Sequence, residues 1–158
     1  VLAQLEIPLA TVIHVFTQAR HSDAITVLNP APAAQLSDTL LAMCDIVVPN
    51  ETESEALGGT AHLLHAGAIT VITTLGARGA EITNANSTVS ITAMQVRTID
   101  TVGAGDAFVG ALCAELSRGQ EIQLAAQTAS IAGALATTIR GAVPSLPTRD
   151  AVTQNQAI

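Results

Sequence analysis

The chain has 158 residues, one domain's worth of sequence and enough for a single sizeable core. Nearly half of them are hydrophobic and 12% are charged, a composition that excludes an intrinsically disordered chain. The formal net charge is −7, from six Lys and Arg against thirteen Asp and Glu, and no cation cluster is present to displace counterions, which argues against nucleic acid as a partner. An acidic chain can still hold a phosphate where backbone N–H groups converge. No stretch reaches the roughly 18 apolar residues of a membrane span. The start is neither basic like a signal peptide nor a Met, so the natural start is expected upstream.

The elements follow in chain order. Val1–Leu5 reads as a short strand, and Pro8 suits the first turn of a helix running to about Arg20. Ile25–Leu28 is a short apolar run, read as a buried strand that stops at Asn29-Pro30-Ala31-Pro32. Residues 34–43 have helical periodicity. Ile46-Val47-Val48 is a second buried strand, ended by Pro49, and Ile69–Thr73 is a third. Between them two short helical pieces meet at Gly58-Gly59, a cramped join where a segment near 57–60 is expected to have been lost. Thr and Ser alternation from Glu81 to Val96, around Asn84-Ala85-Asn86, predicts a hairpin or meander. Three helices follow, at about 104–117, 121–138 and 148–156, broken by Gly119 and by Gly141–Pro144. Strands alternating with helices predict an α/β fold with a mostly parallel sheet. The scarcity of aromatics, two Phe with no Trp or Tyr, leaves Ala, Val, Ile and Leu to fill it. Cys44 and Cys113 sit in apolar runs and read as buried, reduced thiols.

The chemistry concentrates in Asp100-Thr101-Val102-Gly103-Ala104-Gly105-Asp106-Ala107-Phe108. Two glycines lead straight into an apolar helix, whose N-terminus offers N–H groups and a partial positive charge. That makes an anion hole suited to a phosphate. Asp106, at the same turn, could take a proton from a substrate hydroxyl during phosphoryl transfer. The alternative is a Gly-rich turn with Asp106 as a helix N-cap. Asn50 and Glu53 have the same two-sided character: a site pair, or a helix start in which Asn50 caps and a glutamate favours the dipole.

The string from Asp100 to Phe108 resembles the signature of the PfkB family of carbohydrate kinases. Gln4-Leu5-Glu6, Asn29-Pro30-Ala31-Pro32-Ala33, Pro49-Asn50-Glu51-Thr52-Glu53, Thr74-Leu75-Gly76-Ala77-Arg78-Gly79 and Arg140-Gly141-Ala142-Val143-Pro144-Ser145 resemble motifs of its ribokinase branch, in the same order. The resemblance implies a ribokinase-like sheet flanked by helices, in one partial domain over 1–158 that lacks the family's N-terminal part and β-sheet lid. It implies a cytoplasmic ATP-dependent kinase of D-ribose, with Mg²⁺ and K⁺ as cofactors, homodimeric at full length and inactive as this piece alone. The alternatives are another sugar or nucleoside kinase of the family, or an inactive nucleotide-binding remnant.

Residue by residue, the resemblance makes Asp106 the catalytic base and a sugar contact, and Gly103, Ala104 and Gly105 the anion hole. Asn50, Thr74, Gly76 and Ser130 become ATP contacts, although relatives often carry Asn or His where Ser130 stands. Glu6 becomes a sugar contact and Glu53 an indirect Mg²⁺ partner. Asp100, Val102, Ala136, Gly141 and Ser145 become a K⁺ site. His14, His21, His62 and His65 match no role, and the spacing of His62 and His65 lacks a third metal ligand.

Overall fold

The structure is a computed structural model and describes residues 1–156. Its elements are β1 (Leu2–Ala3), α1 (Leu9–His21), β2 (Val27–Leu28), α2 (Asp38–Leu41), β3 (Ile46–Val47), α3 (Glu51–Ala56), α4 (Thr60–His65), β4 (Thr70–Thr74), β5 (Ala80–Asn84), β6 (Thr88–Ile91), α5 (Ala104–Leu116), α6 (Ile122–Ala136) and α7 (Arg149–Gln156), with a 3₁₀ turn at Gly76–Arg78. The six strands form one sheet in chain order. β1 to β4 run parallel, with Leu2 opposite Val27, Val27 opposite Ile46 and Ile46 opposite Thr70. The predicted α/β class with a mostly parallel, helix-flanked sheet is the observed one.

Several elements are shorter than their patterns suggest. The strand expected over Val1–Leu5 keeps only Leu2–Ala3, because the Leu5 N–H turns to the carbonyl of Ala31, beyond the end of β2. The helix expected over 34–43 shrinks to Asp38–Leu41, because the Ser37 hydroxyl caps it by accepting the Leu40 N–H at 3.2 Å. The hairpin is real, with Asn84 Oδ1 accepting the N–H groups of Asn86 and Ser87, but strand pairing ends at Ile91 rather than Val96. The Gly58-Gly59 join closes through hydrogen bonds. Gly58 donates to Glu55 and Gly59 to Ser54, both at a left-handed φ that glycine adopts without a Cβ clash.

The chain divides into two compact units. The first comprises Val1–Thr74 and Glu81–Val89. Its core gathers Ala3 of β1, Val12 and Phe16 of α1, Leu28, Leu40, Leu41, Cys44, Val47, Leu63 of α4 and Val71. Ile46 and Ile72, which alternate with Val47 and Val71, are buried as well, so the parallel strands hide both faces. Cys44 donates its thiol to the Leu40 carbonyl, and burial, helped by the nearby Asp45 charge, pushes its pKa up to about 12. It is the inert buried thiol expected; Cys113 is only half-buried.

The second unit comprises Leu75–Ala80 and Ser90 onward. α5 and α6 pack along each other on small residues, and Gly133 lets α6 approach so closely that a Cβ there would lie 3.3 Å from the Ala104 carbonyl oxygen. Glu115 at the far end of α5 meets Arg118 at 3.1 Å and Arg149 of α7 at 3.7 Å.

Gly79 closes the 3₁₀ turn at φ +102, and a Cβ on it would fall 1.9 Å from the Ile91 carbonyl oxygen. Backbone cannot yield as a side-chain tip does. Gly79→Ala should therefore cost about 3 kcal/mol or more, read as a lower urea midpoint at unchanged slope.

Candidate active site

The Gly-rich turn belongs to the second unit. Gly103 is the N-cap of α5 at φ 81, a left-handed conformation, and its carbonyl accepts the first helical N–H, from Ala107, at 2.9 Å. Ala104 gives its own N–H to Thr101. Gly105 and Asp106 supply the other N–H groups of the first turn, at the positive end of a 13-residue helix. Asp106 is the third helical residue and not the N-cap, so the capping alternative is replaced by a carboxylate within the first turn of the helix.

What holds this turn is Asp100. One carboxylate oxygen accepts the Val102 N–H at 3.1 Å and the other accepts the Gly141 N–H at 2.9 Å. The Ile99 and Asp100 N–H groups both go to the Thr137 carbonyl, just past α6. The Gly141 loop closes on itself: the Ser145 N–H donates to Gly141 and the Ser145 hydroxyl to Ala142. Gly103 then packs so near Ala142 that a Cβ on it would lie 3.1 Å from the Ala142 Cα.

The structure thus gathers Asp100, Val102, Gly141 and Ser145 with Gly103–Asp106, and brings in Ala136 as the last residue of α6. Thr137 and Ala142 were not foreseen, because a carbonyl ligand and a backbone contact leave no trace in side-chain identity. One carboxylate among backbone carbonyls is a donor set of the type a hard cation takes. The Gly141 and Val102 N–H groups stabilise the charged form of Asp100 and hold its carboxyl below the usual range.

The first unit holds a separate group. Asn50 caps α3, its Oδ1 accepting the Glu53 N–H, while Glu53 Oε2 accepts the Asn50 N–H, each at 2.8 Å. The helix-start reading of this pair is therefore realised as a reciprocal capping box. The Thr74 N–H donates to the Pro49 carbonyl, and Asn50, beyond the end of β3, forms a parallel bridge with Thr74, the last residue of β4. Asn50, Glu53 and Thr74 therefore converge at the carboxyl ends of parallel strands, where α/β sheets bind ligands. Glu6 is exposed in the loop after β1.

Gly76 opens the 3₁₀ turn of the second unit at φ +57. Ser130 is buried in mid-α6. His62 and His65 both lie on α4, and among the described residues no group of His, Cys, Asp and Glu could hold a metal ion. Nor is any described helix long and apolar enough to cross a membrane.

The description "pfkB family carbohydrate kinase" matches residues 2–149. This chain belongs to that family. It is 38% identical over 167 residues to ribokinase from Staphylococcus aureus, an alignment covering 98% of this chain and 55% of the relative. Its fold superposes on ribokinase from Thermotoga maritima with a TM-score of 0.91 at 31% identity, covering 99% of this chain and 56% of that one. Ribokinase from Arabidopsis thaliana, complexed with ribose and ATP, gives 0.88 at 26% identity, covering 97% and 54%. The chain thus spans about half the length of the relatives it matches.

A carboxyl held below its ordinary pKa adds stability that is complete above about pH 4 and is lost only as pH falls through the lowered folded value. The Gly141 amide signal should stay put from pH 7 to about 4 and move only below the usual Asp range, as read by NMR titration. In Asp100→Asn that acid transition should be absent, with the Gly141 and Val102 amides already displaced at pH 7.

Proposed function

We propose that the chain carries the phosphoryl-transfer half of an ATP-dependent sugar kinase that converts D-ribose to ribose 5-phosphate. The observation that supports this reading is the left-handed N-cap at Gly103, held by Asp100, which starts α5 with Asp106 as its third residue. Phosphoryl transfer asks for little else from a protein than positioning and charge stabilisation. The Asp106 carboxylate accepts the proton of the ribose 5-hydroxyl as the hydroxyl oxygen bonds to the γ-phosphorus of ATP, while the bond from that phosphorus to the β,γ-bridging oxygen breaks and ADP leaves with its electron pair. In the turn of Gly103, Ala104 and Gly105 the Ala104 N–H is held by the Thr101 carbonyl, and the remaining first-turn N–H dipoles are assigned to the charge that develops on the transferring group.

Asn50, Thr74, Gly76 and Ser130 are assigned to ATP, and Glu6 to the sugar. Glu53 keeps oxygen lone pairs beyond the one used in the capping box, so it suits Mg²⁺ held at one remove through water. Mg²⁺ supplies neutralisation of phosphate charge. Asp100 and the carbonyls of Val102, Ala136, Gly141 and Ser145 are assigned to K⁺, beside the loops that Asp100 already joins. Ribose is favoured over other family substrates by the strings Gln4-Leu5-Glu6 and Asn29–Ala33 and by the ribokinases among the relatives. Because those relatives are nearly twice as long, the second reading is an inactive nucleotide-binding remnant.

The test is ATP-dependent transfer to a panel of sugars and nucleosides, with and without K⁺. Ribose-dependent transfer should fall by about 10²- to 10⁴-fold in Asp106→Asn, with ATP binding retained. Transfer to another acceptor alone would remove ribose from the proposal. ATP binding without transfer to any acceptor would select the remnant reading.

A further inference from the structure

Asn29 opens the Asn29–Ala33 string but has no part in the assignments above, and its surroundings give it one. It is a buried polar residue, 9% exposed, at the end of β2. In the parallel ladder of β2 with β3, Ile46 donates to Thr26 and Val48 donates to Leu28. The next rung in that alternation would run from the N–H of residue 30 to the Val48 carbonyl. Residue 30 is proline and has no N–H. The Val48 carbonyl instead accepts a bond from Asn29 Nδ2, at 2.8 Å and buried.

The other half of the same side chain faces β1. Asn29 Oδ1 accepts Gln4 Nε2 at 3.0 Å, while the backbone N–H of Asn29 goes to Ala3 and that of Leu5 to Ala31. One amide therefore bridges the exits of three strands. On one side the next residues are Leu5 and Glu6. On the other they are Pro49, whose carbonyl takes the Thr74 N–H, and Asn50, which starts the capping box.

We propose that Asn29 is a positioning residue: its side-chain amide replaces the rung that Pro30 cannot make, and so sets the Glu6 loop and the Asn50 loop in register with each other. Its importance to catalysis rests on the reading above, in which Glu6 meets the sugar and Asn50 the nucleotide. No smaller polar residue could do this. The role needs a donor and an acceptor on separate atoms of one short side chain, which an amide has; an ionised carboxylate has no donor, and a hydroxyl carries both on a single oxygen. The proline also stops the ladder from running on, so the loops diverge there while remaining tied.

Amide exchange on the isotope-labelled chain tests this without any need for turnover. Asn29→Ala should speed exchange of the Leu5 and Thr74 amides by about tenfold or more, the scale set by losing a buried hydrogen bond, while Val71 in mid-β4 changes little. Adding Pro30→Ala returns a backbone N–H to face Val48, and should bring Thr74 back to within about threefold of the parent while Leu5, next to the Gln4–Asn29 bond that is still missing, stays fast. An equal rise at Val71, no rise at Leu5 and Thr74, or failure of Pro30→Ala to separate the two would overturn the proposal. Where the parent transfers phosphate to ribose, Asn29→Ala should raise the KM for ribose more than it lowers kcat. Absence of transfer in the parent would count against the kinase reading and leave the exchange pattern to decide on Asn29.

Discussion

Parallel strands all leave the sheet on the same edge, and that constraint governs the first unit. β1 to β4 are short and paired in register, so their carboxyl ends deliver Gln4, Asn29, Pro49 and Thr74 side by side. Pro30 removes the N–H that would have made the next rung with β3. Side chains tie these exits instead: Asn29 spans three of them, and Asn50 and Glu53 cap each other. The backbone adds one more tie, from the Thr74 N–H to the Pro49 carbonyl. A polar edge with its hydrogen bonds already made is a rigid platform, the kind on which ligand contacts can be held to fractions of an ångström.

The second unit solves a different problem with a single charge. A glycine-rich turn is entropically costly to hold, since glycine loses more freedom on ordering than any other residue. Asp100 offsets this by accepting one N–H from its own turn, that of Val102, and one from Gly141, forty-one residues further along the chain, while Thr137 accepts two more from the strip just before the turn. An acidic chain thereby presents an anion-attracting helix start. The negative charge of Asp100 is spent on the backbone N–H groups of Val102 and Gly141. Overall charge says little about such a site, which is local and made of backbone.

Much of this was legible beforehand. Alternation of short apolar runs with helical patterns gave the α/β class, and the glycine-rich turn, the helix after it and Asn50 as a helix cap were all visible as residue types at fixed spacing. Element lengths were less so. The periodicity of 34–43 could not show that Ser37 would cap so late, and the alternation through Val96 could not show that pairing would stop at Ile91. Asp106 looked equally able to cap the helix or to sit inside it until Gly103 was seen to take the cap in a left-handed conformation.

By itself the sequence determined the class of fold and the family resemblance and marked candidate groups for the chemistry, because those depend on residue type and local spacing. Only the tertiary structure decided what each group is bonded to. That Asp100 joins Val102 to Gly141, that Thr137 offers its carbonyl to Ile99, and that Asn29 stands in for the N–H of Pro30 are all contacts between segments distant along the chain. Hydrogen bonds are short and directional, so they depend on where the fold brings a donor and an acceptor to within about 3 Å. Backbone carbonyls and N–H groups, which do much of the holding here, are the same in every residue and therefore leave no mark in a sequence.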